Sequence, residues 1–299
     1  MAARLRSLVT LVSGLGWHVE DLSRAAGKVA VRLDVIAFDR LIGYAGLADR
    51  TVEAEGWRLT DSDGVLVRMM PPGGLERVVY RMDALHRLER AGVPLMNAPR
   101  AVEAAVDKYL SLTLLDAAGL PVPPTFAGEA ASDALEAYDL LGPDVVVKPL
   151  FGSEGRGLVR VSDRELARRV FQTLERLGAV AYVQKAVRHP GFDYRAFVLG
   201  GRVLGAIRRF APEGDWRTNV AVGGRPEVCS LDPSMASLAV RAAEAVGAEM
   251  AGVDLLDDLD LGGPVVIEVN AVPGWRALSR TTGVDVAAEL LAHLRDLGR

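Results

Sequence analysis

Two carboxylates and an amide interrupt strand-like apolar segments near the C-terminus, and such oxygen-bearing side chains are candidates for holding a metal ion. Asp254 interrupts the apolar run AGVDLL, whereas Glu268 and Asn270 interrupt VVIEVNAVPGW. Because side chains alternate faces along a strand, Glu268 and Asn270 are predicted to share one face, with Ile267 on the other. Burial of a carboxylate is costly unless a partner receives it. The pattern indicates either a site for Mg²⁺ (or Mn²⁺) or salt bridges to arginines, and the metal site requires that the two strands be neighbours.

A lysine beside a glycine-rich segment is the second candidate. Lys148 ends the strand-like DVVVK, and GSEGRG follows at residues 152–157. Glycine-rich loops let backbone N–H groups approach phosphate oxygens closely, and an adjacent lysine adds a positive charge. The segment lacks the glycine–lysine–serine/threonine sequence of a P-loop. Taken alone, it is more typical of a hairpin with glycines in its turn than of a phosphate site.

Four arginines lie in two further strand-like stretches and in the segment after them. Arg195 occurs in FDYRAFV, Arg208 and Arg209 in AIRR, and Arg217 in GDWRTN. Guanidinium groups match planar carboxylates and phosphates, so several on neighbouring strands indicate an anionic ligand. Asp193 shares a strand face with Arg195. For any single arginine, ordinary surface charge is the simpler interpretation.

Other common catalytic chemistries have no signature in this chain. The four histidines are scattered, at positions 18, 86, 189 and 293, and their spacing predicts no zinc site. No serine or cysteine lies in a nucleophile-elbow motif. The chemistry is therefore predicted to depend on phosphate, magnesium and arginine rather than on a protein nucleophile.

Composition narrows the class of protein. The chain has 299 residues, of which 50% are hydrophobic and 25% charged, and its net charge is −4. These values are typical of a soluble globular protein of two or three packed units, and the mildly acidic balance argues against nucleic acid as a partner. Cys229 is the single cysteine, which favours a reducing compartment. The apolar LVTLV is too short for a signal peptide and no run could span a bilayer, so a cytoplasmic protein with no membrane partner is expected.

The elements that must position these residues form three α/β blocks. In the first, LRSLVTLVS and DGVLVRMM read as strands and YRMDALHRLERAG as a helix, a rhythm typical of a mostly parallel sheet. The second contains a strand, the glycine-rich loop, another strand and a helix. In the third, FDYRAFVLGGRVLGAIRRF predicts strands, and DDLDLGG has the composition of a turn that would pair the strands of Asp254 and Glu268. The final DVAAELLAHLRDLG is predicted to be a surface helix.

The order of these motifs resembles that of the ATP-grasp superfamily, and more narrowly its ribosomal-protein-modification (RimK-like) branch of glutamate ligases. Lys108 precedes Lys148 and GSEGRG, and DYR, RTN, GVD and EVN follow in that order. The stretches GDWRTNVAVGG, IEVNAVPG and TTGVDVA are close to the branch's own sequences. The resemblance covers residues 95–299 well, and the N-terminal third only in general pattern. It implies an α/β ATP-grasp fold, α+β in the ATP-binding part, with a pre-ATP-grasp domain at 1–99, a small central subdomain at 100–183 and a C-terminal domain with the metal site at 184–299.

The resemblance also implies which residues bind ATP. Lys108 and Lys148 would contact the phosphates, and Asp193 the nucleoside. The loop that would close over the phosphates contains Gly152, Ser153, Gly155 and Gly157. Gln184 and Lys185 lie on the strand expected to read the adenine, where the branch usually has glutamine–glutamate; backbone groups can still read the adenine there, and the role of the Lys185 side chain is open.

The resemblance further implies catalytic and metal-binding residues. Arg217 and Asn219 would contact the phosphates or the acyl intermediate, and Arg195 and Arg217 would act in catalysis. Metal ions, two by analogy with the branch, would be held by Asp254, Glu268 and Asn270.

The reaction so implied is ATP-dependent amide formation. A substrate carboxylate is activated as an acyl phosphate and joined to an amine, with release of ADP and phosphate, and the amino acid expected is L-glutamate. The N-terminal segments and NAVPGWRAL are most like members that extend a coenzyme tail such as tetrahydromethanopterin. A ribosomal protein tail or a lysine-biosynthesis carrier is the alternative acceptor, and a homo-oligomer, dimer or tetramer, is typical of relatives.

Three questions stay open at the level of sequence. SGLGWHVEDL places Gly14 and Gly16 between a strand and a helix, as in a dinucleotide-binding oxidoreductase, but Val19 occupies the third glycine position. A nucleotide-binding module without catalysis is a second rival, against which the intact set of predicted metal ligands argues. Trp275, just past the metal strand, is predicted either to line the acceptor entrance or to belong to the core.

Overall fold

A parallel α/β unit forms the N-terminal part of the computed structural model, which describes residues 5–47, 50–152 and 155–297. Its elements are β1 (Arg6–Val12), α1 (Trp17–Lys28), β2 (Val31–Ala37), β3 (Leu41–Gly43), β4 (Val52–Ala54), β5 (Trp57–Arg58), β6 (Gly64–Val67), α2 (Leu75–Arg90) and β7 (Leu95–Met96). Four parallel strands are ordered β2–β1–β6–β7, while β3, β4 and β5 form a small antiparallel sheet. Helical connections suit parallel pairing, so the predicted parallel sheet is confirmed.

A four-stranded antiparallel sheet forms the middle of the chain. The elements here are α3 (Pro99–Val106), α4 (Lys108–Ala117), β8 (Thr125–Gly128), α5 (Ala131–Leu141), β9 (Val145–Lys148), β10 (Val159–Val161), α6 (Arg164–Arg176) and β11 (Ala181–Lys185). The strands are ordered β10–β9–β11–β8, and the apolar stripes of α5 and α6 pack against them. The predicted strand–glycine loop–strand is confirmed as the β9–β10 pair.

A five-stranded antiparallel sheet forms the C-terminal part. Its elements are β12 (Phe192–Leu199), β13 (Arg202–Phe210), β14 (Arg225–Cys229), α7 (Pro233–Ala245), β15 (Met250–Asp258), β16 (Gly263–Asn270), α8 (Arg276–Thr282) and α9 (Val286–Leu297). The order is β14–β13–β12–β15–β16. Helices α3, α4 and α7 cover one face of this sheet, and the other face shares a core with α1, β1 and β6 of the N-terminal unit. No described helix is both long and apolar enough to cross a membrane.

Helix α9 is more buried than its sequence suggested. Its buried side chains include Val286, Leu290 and Leu294, each 0% exposed and four residues apart on one face. This face packs into the core that the N-terminal and C-terminal units share, against α1 and β6. The opposite face, with Glu289 and Asp296, is exposed, as the predicted surface helix requires, but the amphipathic stripe did not reveal that the N-terminal unit covers it.

The pairing of β15 with β16 places two predicted metal ligands opposite each other. Asp254 is the partner of Glu268. The predicted turn is present, and Asp258 Oδ1 accepts hydrogen bonds from the backbone N–H groups of Asp260 and Leu261. Leu255, however, pairs with Val266, so Ile267 is an extra residue in β16. This bulge interrupts the alternation of faces. Ile267 consequently lines the same cleft as Glu268, and its predicted place on the opposite face was wrong.

Trp275 is a core residue. It is 0% exposed, and its indole N–H donates to Asp21 at 2.8 Å. Its backbone N–H donates to His18 Nε2 at 3.2 Å, and the Arg68 guanidinium carbon lies 4.4 Å from the ring centroid. Three contacts with the N-terminal unit thus surround a fully buried indole. Of the two interpretations, the core is the one observed.

We expect Trp275→Ala to destabilise the protein by about 3–5 kcal/mol, because it removes a large buried ring and leaves a cavity. Urea denaturation followed by circular dichroism would measure the loss. Trp57→Ala is the matched control, since Trp57 is 44% exposed and its removal should cost about 1 kcal/mol or less. Equal losses for the two variants would contradict the core assignment.

Candidate active site

An open cleft lies between the middle sheet and the C-terminal sheet. Most of the predicted site residues line it: Lys108, Lys148, Gly152, Gly155, Gln184, Lys185, Asp193, Arg217, Asn219, Asp254 and Glu268. Three others lie behind or beside the lining: Gly157, Arg195 and Asn270. Ser153 falls outside the described residues. Elements far apart in sequence therefore bring the predicted set to one place.

Two lysines reach the cleft, Lys148 from a strand and Lys108 from a helix. Lys148 ends β9, and its Nζ donates to Gln184 Oε1 on β11 at 2.6 Å. Lys108 begins α4, where Asp107 caps the helix, and its Nζ donates to the Gly152 carbonyl at 2.6 Å. Burial lowers the pKa of Lys148 to about 8 and also lowers the pKa of Lys108, while the Glu268 carboxylate acts in the opposite direction on both. The two ammonium groups are thus held near each other and near a carboxylate, in a partly dehydrated setting.

The glycine-rich loop touches the C-terminal unit across the cleft. Gly155 has φ of +72°, and a Cβ there would lie 2.6 Å from Asn219 Oδ1. Arg217 donates to the Gly155 carbonyl at 3.3 Å and is itself held by Asp215, at 2.7 Å. Only glycine combines this backbone conformation with so close an approach. The arrangement forms a cradle in which backbone N–H groups can face an anion.

A buried charge network underlies the floor of the cleft. Asp254 is 4% exposed and lies between Arg195, whose Nε is 2.8 Å from Oδ1, and Arg209, whose Nη2 is 3.0 Å from Oδ2. Arg209 also pairs with Asp193 through two hydrogen bonds, one of 2.8 Å from Nε. Burial raises the pKa of Asp254, and the two guanidinium groups act in the opposite direction. The salt-bridge alternative is therefore realised for Asp254, and contact between Asp193 and a nucleoside stays a prediction.

The oxygen atoms around the β15–β16 pair fit a hard divalent cation. Asp254 Oδ1 is buried and, although close to Arg195, has no partner in hydrogen-bond geometry. Glu268 has no salt bridge among the described residues. Asn270 Oδ1 accepts the Val272 N–H at 2.8 Å and retains a second lone pair. Two carboxylates and an amide oxygen are ligands that Mg²⁺ accepts together with water and phosphate oxygens. No cluster of three or more His, Cys, Asp or Glu able to hold a metal occurs in the described parts of the chain, so an ion here would depend on such additional ligands.

Comparison with known proteins places this cleft in a family. A model of the RimK-like ATP-grasp domain matches residues 105–294. The chain belongs to the RimK-like ATP-grasp family. It is 36% identical over 265 residues to a tetrahydromethanopterin:alpha-L-glutamate ligase of Methanosarcina acetivorans, covering 80% of this chain and 82% of that protein. It is 33% identical over 246 residues to a ribosomal protein bS6–L-glutamate ligase of Escherichia coli, covering 82% and 80%.

Solved structures confirm the ATP-grasp fold. The ATP-grasp ligase PsnB, in a complex with a minimal precursor, Mg and ADP, aligns with a TM-score of 0.79 and 21% identity over all of both chains. As a RimK-like ATP-grasp protein, the chain is an ATP-dependent ligase. This assignment excludes the dinucleotide-oxidoreductase alternative, although Gly14 and Gly16 do lie in the loop that joins β1 to α1.

Two residues at or behind this RimK-like site, Asn97 and His189, had no distinctive sequence signal. Asn97, 0% exposed, donates to the carbonyls of Met250 and Ala271, both at 2.6 Å, and so fixes the start of β15 and the exit of β16. His189 lines the cleft, and burial lowers its pKa. The importance of Asn97 depends on contacts more than 150 positions away, which no local pattern reveals.

We expect the affinity for an ATP analogue to fall as the pH rises through 8, because Lys148 must be protonated to pair with a phosphate. Its pKa is about 8 in the free protein, and bound phosphate favours the charged form, so the dissociation constant should rise by up to about tenfold per pH unit above 8. Titration calorimetry from pH 7.5 to 9.5 would measure this. Lys148→Met should bind more weakly with a flatter profile, and an unchanged slope in that variant would contradict the assignment.

Proposed function

We propose that the protein is an ATP- and Mg²⁺-dependent carboxylate–amine ligase that joins L-glutamate to an acceptor carboxylate through an amide bond, releasing ADP and phosphate. The observation that carries this proposal is the convergence, in one cleft, of Lys108 and Lys148 with the Asp254–Glu268 pair. A cleft with cations at one side and hard oxygen ligands at the other suits a nucleoside triphosphate and its metal.

The acceptor we favour is a small molecule with a carboxylate tail, such as tetrahydromethanopterin. Two relatives that carry that name share 36% and 34% identity with this chain. A ribosomal protein tail is the second candidate, supported by the relative of 33% identity. A lysine-biosynthesis carrier is a third class to include among the acceptors tested.

Different residues of the chain would bind the triphosphate, its outer phosphate oxygens and the adenine. Lys148 and Lys108 would bind the triphosphate and offset its charge, since their ammonium groups enter from β9 and α4. Backbone N–H groups of the loop at Gly152, Gly155 and Gly157 would bind the outer phosphate oxygens. Gln184 and the backbone of Lys185, on β11, would lie along the adenine. The positive charge and the N–H donors together favour attack at the outermost phosphate.

The floor of the cleft would bind the metal and orient the acceptor. Asp254, Glu268 and Asn270 would hold Mg²⁺, which supplies charge neutralisation on the phosphates and polarises the transferred group. Arg195 and Arg217 would orient the substrate carboxylate and stabilise the negative charge that develops on its oxygens. Asn219, beside Gly155, would contact the phosphates where the loop meets the C-terminal unit. Closure of that loop would exclude water, which otherwise hydrolyses the acyl phosphate.

The proposal predicts where the carboxylate oxygen goes. In an acyl-phosphate mechanism the acceptor carboxylate attacks phosphorus, and one of its oxygens leaves with phosphate when the amine attacks the acyl carbon. A panel of the three acceptor classes, each labelled with oxygen-18 at its carboxylate, should be incubated with ATP, Mg²⁺ and glutamate. Mass spectrometry should find one labelled oxygen in phosphate for each amide formed, together with ADP. Formation of AMP, or of unlabelled phosphate with the amide, would overturn the mechanism.

We also infer that the chain divides into three domains with different roles. Residues 1–99 would form the pre-ATP-grasp domain, 100–183 the small central subdomain, and 184–299 the domain that carries the metal site. The four sheets of the described residues support this division, since each falls within one of these segments apart from β11, which spans the second boundary at Ala181–Lys185. A reducing cytoplasm is the proposed location, in keeping with the single Cys229.

A further inference from the structure

A buried arginine lies at the carboxyl end of β6 and has no carboxylate partner among the described residues. Arg68 is 5% exposed. Its Nη1 donates to the Pro273 carbonyl at 2.9 Å, and its guanidinium covers the ring of Trp275. Burial lowers the pKa of Arg68 to about 9. A buried cation is costly unless an anion compensates it, so a retained guanidinium in this position calls for an anion from outside the chain.

The groups around Arg68 do not supply that anion. His18 is near Trp275, and its pKa is lowered to about 4, first by burial and then by Arg68, so it is neutral at pH 7. Asp21 accepts hydrogen bonds from Trp275 and from Arg24. Neither group therefore offers Arg68 an uncommitted negative charge.

Arg68 keeps donors available for a ligand. A guanidinium group has five N–H donors, and the Pro273 carbonyl uses one of them. The Arg68 nitrogens that lack a hydrogen-bond partner are therefore not fully buried. Met69, the next residue, is 61% exposed and Leu15, in the neighbouring loop, is 86% exposed, so this end of the sheet borders solvent. Arg68 thus lies at the carboxyl edge of the parallel sheet, where ligands of α/β proteins commonly bind, and its unpaired donors are not fully enclosed.

The position of Arg68 connects it to the proposed reaction centre. Pro273, which it contacts, lies three residues after Asn270, at the exit of the metal strand. The other side of Pro273 faces Gly252, where a Cβ would come within 2.9 Å of the proline Cβ and closer still to the Arg195 guanidinium. Arg68 contacts Pro273, and Arg195 lies close to the same proline beside Gly252. A molecule that reacts near Asp254 and extends toward the N-terminal unit would meet Arg68.

We propose that Arg68 binds an unreactive carboxylate of a ligase substrate and thereby selects dicarboxylic substrates. This inference rests on the proposed function and adds the residue that recognises the substrate's second acidic group. The carboxylate has two possible sources: the amino acid that is joined, or a second carboxylate on the acceptor. A planar fork of N–H donors above an indole ring suits a carboxylate from either source, because guanidinium pairs with carboxylates through two parallel hydrogen bonds.

Substrate and enzyme should be changed together to test this. The amino-acid arm compares L-glutamate with its α-amide and its γ-amide, and the acceptor arm compares each acceptor with an analogue in which a non-reacting carboxylate is an amide. Wild type should prefer the free acid in one arm by about 10- to 100-fold in kcat/KM. Arg68→Gln should lose that preference in the same arm only, and Arg68→Lys should recover part of it.

Arg81→Gln is the matched control, because Arg81 is also 5% exposed and donates to a backbone carbonyl, that of Pro71 at 2.7 Å. It should lower stability without changing the preference for the free acid. An equal loss of kcat/KM with acid and amide substrates in Arg68→Gln would show that Arg68 is purely structural, and would overturn the proposal. Retention of the full preference by both Arg68 variants would overturn it too.

A binding measurement separates this inference from the proposed reaction. Thermal shift with a non-hydrolysable ATP analogue and a panel of L-glutamate, L-aspartate, succinate and an acceptor of each class needs no turnover. Carboxylate-dependent stabilisation should be present in wild type and absent in Arg68→Gln, while the shift caused by the ATP analogue is the same in both. That result would support the carboxylate site even if no glutamate ligation were found. Identical carboxylate responses in the two proteins would exclude the site even if ligation were confirmed.

Discussion

Glu268→Gln is expected to lower kcat by about a thousandfold or more while the protein still folds. Glu268 lies opposite Asp254 in the β15–β16 pair and lines the cleft. It has no salt bridge among the described residues, and its charge acts only at a distance on Lys108 and Lys148, so an amide of the same shape should leave the fold intact. The substitution removes one negative charge from the proposed magnesium ligands. It should therefore weaken metal binding and transition-state stabilisation rather than folding.

Two measurements distinguish a loss of metal binding from a general folding defect. The Mg²⁺ concentration that gives half-maximal ADP formation should rise in Glu268→Gln, and the urea midpoint should stay close to that of wild type. Glu227→Gln is the control, since Glu227 lies on β14 of the same sheet and pairs with Arg225 outside the cleft. Near-normal turnover in Glu268→Gln, at wild-type Mg²⁺, would rule out its role as a metal ligand.

The floor of the site was partly predictable because its geometry is local. The turn composition of DDLDLGG pairs β15 with β16, and pairing brings Asp254 opposite Glu268. The position of Ile267 was not predictable, since a bulge depends on how two strands settle against each other and carries no fixed residue signature. The order of the motifs predicted more of the site than the local patterns did. It placed Lys108 and Lys148 in one cleft although they lie on separate elements.

Contacts between units are the part that sequence reasoning missed. Asn97 fixes β15 and β16 from more than 150 residues away, and Trp275 is buried by α1. Arg68 belongs to this class as well, since its two contacts lie about 205 positions along the chain. Local periodicity shows that a residue is apolar or sits at a strand end, whereas its partner is chosen by tertiary packing.

Gly252→Ala is the second large effect that we expect, with a fall in kcat of about a hundredfold. Gly252 lies in β15 opposite Asn270, two residues before Asp254. An added Cβ would lie 2.9 Å from the Pro273 Cβ and would overlap the Arg195 guanidinium. Its backbone φ is not positive, so the effect is purely steric. Either Arg195 leaves Asp254 or the loop at Pro273 shifts, and both displacements disturb the proposed metal and carboxylate sites.

A matched substitution and a double mutant test that steric cause. Gly263→Ala, in the neighbouring strand β16, has no atom within 4 Å of the added Cβ, so its kcat should match wild type. ATP-analogue affinity should be nearly unchanged in Gly252→Ala, since Lys108 and Lys148 lie elsewhere in the cleft. If the guanidinium is the obstacle, then in an Arg195→Ala background the Gly252→Ala change should cost much less than it does alone, because the overlapping group is gone. Full additivity of the two losses would instead assign the effect to Pro273, and a Gly252→Ala enzyme with normal kcat would contradict the close packing on which both explanations depend.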